Sequence, residues 1–245
     1  MGWLKPEERN KIIAERTGNV ADFDWKTPPA SLLQLLSSRT LWGLALTQAC
    51  AIYGNNVFLF WLPSYLRSTR DLTVLKTGLF TAVPYALAVP LTIGIGLLSD
   101  RIVRSGGVAG GRRRNVVATG MLCAAVILAA PLVQNIWLLL ALTTISLTGI
   151  GIVLGLNMAL VSDLLPNPRN LGKAIGTVAF FGQVAGISAP IVTGYIIVWT
   201  GSYRFLFGVG GVLMIVGSTV CLTLTRKPLL AAEPAPGLAA AAPSH

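Results

Sequence analysis

Tyr53, Asn55, Asn56, Asn157 and Gln183 are neutral polar side chains set inside long apolar stretches of this chain. An amide both donates and accepts, so Asn and Gln in such surroundings suit the hydroxyl and carboxylate groups of a ligand. They suit a neighbouring helix as well, because an amide in hydrocarbon is costly unless it is bonded. No Asp, Glu, Lys, Arg or His interrupts the apolar stretches. A nucleophile–base pair at depth is therefore missing, which argues against an intramembrane enzyme. Cys50, Cys123 and Cys221 stand singly in apolar sequence and read as small packing residues. The only histidine is His245. Neither a metal nor another cofactor is expected.

Helices must position these side chains. Six uncharged apolar runs cover 40–66, 77–99, 115–133, 136–162, 174–199 and 205–225. Crossing a hydrocarbon core of ~30 Å takes about 20 residues at ~1.5 Å per residue. Backbone groups cannot stay unpaired in lipid, so such runs form helices. With 53% hydrophobic and 11% charged residues and a mean hydropathy of +0.70, an ordinary soluble domain is excluded. The expected fold is all-α, a multi-pass bundle of six transmembrane helices. Counting from the run ends puts Tyr53, Asn55 and Asn56 near the bilayer centre and Gln183 near the middle of its run. Asn157 falls closer to one end.

The net charge of +10 follows the loops. Segments on the N-terminal side of the runs hold 15 Lys and Arg, and those on the other side hold 4. Cytoplasmic loops retain basic residues, so both termini and the basic 100–114 loop are expected in the cytoplasm, in a plasma membrane. The charge is a topology signal, and no nucleic-acid partner is expected. Residues 1–39 read as a polar cytoplasmic lead-in with no signal peptide. Residues 226–245 read as a low-complexity, unstructured tail. The short link before residue 136 pairs two runs as an antiparallel hairpin. Gly151 with Gly155, and Gly182 with Gly186, offer close helix approach, while Pro63, Pro84, Pro90, Pro131 and Pro190 each free a backbone carbonyl.

Between the second and third runs stands Gly96-Leu97-Leu98-Ser99-Asp100-Arg101. This G-x-L-x-D-R at a helix end resembles the loop motif of the major facilitator superfamily, which recurs in each six-helix half. Where that motif continues with Gly and two basic residues, this chain has Val103, Arg104 and Ser105, and its basic cluster comes later at Arg112–Arg114. The resemblance makes Gly96, Asp100, Arg101 and Arg104 a conformational latch, with Asp100 paired to Arg101 or to a neighbouring helix end. "WLPSYL" (61–66), "SDLLP" (162–166) and "FFGQVAGISAPIVTGYIIVWTGSYR" (180–204) further resemble the anion:cation symporter branch.

That resemblance implies a carrier of organic anions, such as sugar acids, hexuronates and other carboxylates, coupled to protons. For such a ligand the polar residues within the runs, Tyr53, Asn55, Asn56, Gln183 and Asn157, are the expected contacts; the branch usually has Asn where this chain has Gln183. It also implies that the chain is a C-terminal half, with 1–39 the linker and a missing or separate N-terminal six-helix half as partner. The absence of titratable residues in the runs agrees with that. The rival readings are a non-transporting membrane scaffold or receptor, and an inactive fragment.

Overall fold

The computed structural model describes residues 30–70, 72–104, 109–165 and 167–229, with the backbone alone for 102–104, 109 and 110. Most of the 1–39 lead-in and of the 226–245 tail therefore lies outside the described residues.

Every regular element among them is helical. A single turn, α1 (Leu32–Leu36), is set by a capping box in which Ser31 and Gln34 satisfy each other's backbone N–H groups. The long helices are α2 (Arg39–Arg70), α3 (Val74–Arg104), α4 (Ala109–Ala124), α5 (Ile136–Asp163), α6 (Leu171–Thr200) and α7 (Arg204–Leu224). Asn135 caps α5 by accepting from the Trp137 N–H at 2.9 Å. Gly201 closes α6 in the left-handed conformation at φ 62°, where any other L-residue would be strained.

Five helices among the described residues are long and apolar enough to cross a membrane, and with their sequence this is a multi-pass membrane protein. The run expected at 40–66 is a 32-residue helix, but it is not among those five. Gln48, Tyr53, Asn55 and Asn56 make α2 too polar, which is tolerable because α2 packs against α5, α6 and α7. A second difference concerns the 100–114 loop. Most of it is helix: α3 runs on to Arg104 and α4 begins at Ala109. Arginine is a good helix former, so helices continue past the hydrocarbon into the interface.

α3, α5, α2 and α6 form a row, with α3 packed on α5, α5 on α2 and α2 on α6. Behind it α4 packs on α5 and α7, and α7 on α2. The main core, with Met121, Ile150, Leu62 and Phe207, lies between these layers. A smaller cluster of Leu35, Leu41, Leu160, Val178 and Leu229 seals one end. Both described ends of the chain meet there: Thr40 Oγ1 donates to the Lys227 carbonyl (2.9 Å), and the Leu229 N–H to Leu164 (2.8 Å). We call it the terminal end, and the opposite one the far end.

After Ala124 the helix tightens into a 3-10 stretch, Ala125–Leu132, longer than the usual three or four residues. The change comes where the Ala124 carbonyl accepts from Ser146 Oγ of α5 (2.9 Å). α4 and α5 cross closely there, since a Cβ on Gly149 would clash with the Gly120 carbonyl oxygen. Of the glycine pairs noted in the sequence, Gly182 and Gly186 both face α2, at Ile52. Gly151 meets Thr92 of α3, but Gly155 faces open space.

Candidate functional site: amides at membrane depth and a charge cluster

The α2–α6 seam holds most of the polar residues expected at depth. Pro190 cannot donate to the carbonyl four residues earlier, that of Gly186. Asn56 of α2 supplies the missing donor, its Nδ2 lying 2.9 Å from the Gly186 oxygen. Gly186 lets the helices close enough for this, because a Cβ there would sit 2.8 Å from Asn56 Nδ2 and 2.7 Å from Ile52 Cγ2. In the same seam the buried Tyr53 hydroxyl pairs with Thr193 Oγ1 at 3.1 Å, about two turns beyond Gly186. Gln183 is exposed on α6, its Oε1 also close to Gly186, and it bonds to no described residue.

Asn55 turns the other way. It lines a groove of about 250 Å³ between α2, α3 and α5, with Tyr85, Thr92, Leu147 and Gly151. It too forms no hydrogen bond among the described residues, and the Tyr85 hydroxyl beside the groove is buried without a partner. Asn157 is 0% exposed. Its Nδ2 donates to the Leu44 carbonyl (3.1 Å) and to Gln48 Oε1 (2.9 Å), which ties α5 to α2. The five residues thus fall into three groups: Tyr53 and Asn56 bonded to α6, Asn157 bonded to α2, and Asn55 with Gln183 free.

Gln48 was not singled out in the sequence. It lies four residues before Ile52 and eight before Asn56, on the same helical face, so the spacing carried a signal. Thr193 and Tyr85 carried none that sets them apart from other hydroxyls.

At the terminal end Asp100 does not pair with Arg101, which is exposed. Its partner is Arg113, near the start of α4, at 3.2 Å. Arg113 also holds Asp163, the last residue of α5, at 2.6 Å, and its own side chain is only 12% exposed. One guanidinium therefore joins the ends of α3, α4 and α5. The sequence showed three consecutive arginines; which of them faces inward depends on the rotation of α4. The side chain of Arg104 lies outside the described residues. Gly96 has open space where a Cβ would stand.

A family model described as the Major Facilitator Superfamily matches residues 106–243. The chain belongs to the major facilitator superfamily. Its relatives within that superfamily include the probable galactarate/D-glucarate transporter GudP of Escherichia coli K12, 30% identical over 171 residues. That alignment covers 70% of this chain and 38% of the relative. The protein of the same name from Bacillus subtilis 168 is 28% identical, with 80% of this chain and 42% of the relative aligned. The D-galactonate transporter of Escherichia coli O6:H1 is 30% identical, with shares of 79% and 41%. The chain spans about two fifths of the length of these superfamily relatives.

Proposed function

We propose that this chain forms one six-helix half, the C-terminal one, of a secondary transporter that moves a small organic anion, a sugar acid or related carboxylate, by alternating access. α2 is then the sixth crossing. The observation that carries the reading is the pair of amides without a partner among the described residues, Asn55 and Gln183, on the α3–α5–α2–α6 row. Gln183 lies one turn before the Gly186 carbonyl that Pro190 leaves without its helical donor. Rocking bundles bind substrate at mid-membrane between the two halves, where free polar side chains are needed. Family membership and relatives named as sugar-acid transporters support the same reading. An amide side chain can meet both the hydroxyls and the carboxylates of such a ligand. Asn56 adds its free carbonyl oxygen, while Asn157 acts as a tie between α2 and α5. Proton coupling belongs to the proposal, with the proton carried by the opposing half, since the spans here hold no titratable acid, base or histidine.

Uptake of labelled D-glucarate into liposomes tests this. The chain alone should accumulate none, and robust proton-driven uptake by it alone would defeat the half-transporter reading. In a complete transporter carrying this half, Gln183→Ala should weaken D-glucarate affinity about 10- to 100-fold. That is the loss of a bond to a charged group, ~1.5–3 kcal/mol. Unchanged affinity with lowered thermal stability would return Gln183 to helix packing.

The terminal end is proposed to face the cytoplasm, in line with the 15-to-4 distribution of Lys and Arg. An impermeant thiol reagent applied to intact cells should label a single cysteine near Arg67 and spare one near Arg101; the reverse pattern would invert the topology. The Asp100–Arg113–Asp163 cluster is then a cytoplasmic latch, with Arg113 at the neighbouring helix end, the alternative to Arg101, as the partner of Asp100.

A further inference from the structure

The far end holds a cavity used by neither the amides nor the latch. It has a volume of about 430 Å³, within the ~300–1,000 Å³ of ordinary small-molecule sites. The end of α2, the α4–α5 turn and the α6–α7 turn enclose it, with Tyr65, Arg70, Gln134, Ser202, Tyr203 and Arg204 in its wall. No carboxylate lines it among the described residues. Arg67, Arg70, Lys76 and Arg204 are the positive charges in the helix ends at this end of the bundle. Two of those four, from distant parts of the sequence, meet in this one cavity.

The two guanidinium groups are in different states. Arg70 donates to the carbonyls of Val133 and Gln134, just past the 3-10 stretch, so it is pinned. Its Nε is buried without a partner. Arg204 is exposed and in no ion pair among the described residues; only its backbone N–H is engaged, donating to Ser202 Oγ at 3.2 Å. A pinned arginine fixes a positive potential, and a free one offers a planar fork that matches a carboxylate. The Tyr65 ring, edge-on to Phe207 at 4.8 Å, makes a rigid wall beside them.

We propose that this cavity is a second anion site, in which Arg204 grips the carboxylate of a small organic acid and Arg70 fixes the wall and its potential. The choice of an organic acid rests on the proposed transport function; the site itself does not depend on the central amides. Because it lies wholly within one bundle, it binds without the opposing half. A lipid phosphate shares the chemistry, and the test separates the two.

The 245-residue chain in neutral phosphatidylcholine nanodiscs is titrated with ¹³C-labelled D-glucarate and followed by NMR line broadening. Binding is expected for the unaltered chain and for Gln183→Ala, while Arg204→Gln should weaken it roughly tenfold or more, with Arg204→Lys in between. The uncharged analogue glucitol should not compete. Arg204 contacts its neighbours through the backbone, and an unchanged melting temperature checks that Arg204→Gln is folded. Absence of D-glucarate binding, or binding indifferent to Arg204→Gln, overturns the proposal. So does competition by glucitol. In nanodiscs that also hold phosphatidylglycerol, Arg204-dependent retention of that lipid, seen by native mass spectrometry without D-glucarate binding, would assign the site to lipid instead. Uptake through the complete transporter is read separately, so loss of either reading leaves the other standing.

Discussion

α2 and α3 follow each other in the chain and have nearly equal lengths, 32 and 31 residues, yet they occupy opposite environments. α2 carries Thr47, Gln48, Tyr53 and Asn56, and buries the first three of them. α3 is far more apolar, but Leu79, Leu87, Val89, Leu91, Ile93 and Leu97 are exposed along it. In water the more apolar helix would be the inner one. In a bilayer the outward face needs only to be apolar, and the inner one can be polar if every group finds a partner. In this pair the more polar span is the one packed among other helices, and the more apolar one keeps an exposed face.

The comparison breaks most readily at its glycines. Gly186→Val would drive a side chain into Ile52 and Asn56 across the α2–α6 seam, at an overpacking cost of about 1–3 kcal/mol. Gly94→Val on α3 meets open space and should stay within about 0.5 kcal/mol. Unfolding in mixed micelles measures both, and equal effects would show that α2 is no more tightly packed than α3.

A smaller effect sharpens the division among the amides. Asn157→Ala removes bonds to Leu44 and Gln48 and leaves the Gln48 amide buried, for a loss of about 1–2 kcal/mol. Asn55→Ala breaks no bond and should leave the unfolding midpoint in place. If Asn55→Ala proved the more destabilising, the free and bonded amides would have been assigned the wrong way round.

The smallest of the expected losses from a broken contact is at the latch. Arg113→Gln deprives Asp100 and Asp163 of their cation, but Asp100 is 47% exposed in its side chain and water screens much of the loss. About 1 kcal/mol is expected. The sharper readout is conformational: in a complete transporter, Arg113→Gln should alter thiol labelling of Gln183→Cys. Labelling that stays the same would reduce the cluster to a helix-end ion pair.

The amino-acid sequence determined the helices, because hydrocarbon forbids unpaired backbone and about 20 apolar residues span it. It also put the amides inside long apolar runs and the motif at a helix end. What it left open was rotation. Asn55 and Asn56 are neighbours in sequence, but about 100° of helical turn sends one to the α3–α5 groove and the other to Gly186. Arg112, Arg113 and Arg114 are equivalent as text, and only the packing of α4 against α3 and α5 chose Arg113 to bridge two acids. Gly151 and Gly155 formed one small-residue pair in the sequence, yet only Gly151 meets a neighbouring helix. The two arginines of the far cavity lie at opposite ends of the spans' sequence and were joined by the closing of the bundle alone. Depth is a one-dimensional property that composition and length can carry. The partner of a side chain depends on the angle at which two helices meet, and that angle is set by every contact between them at once.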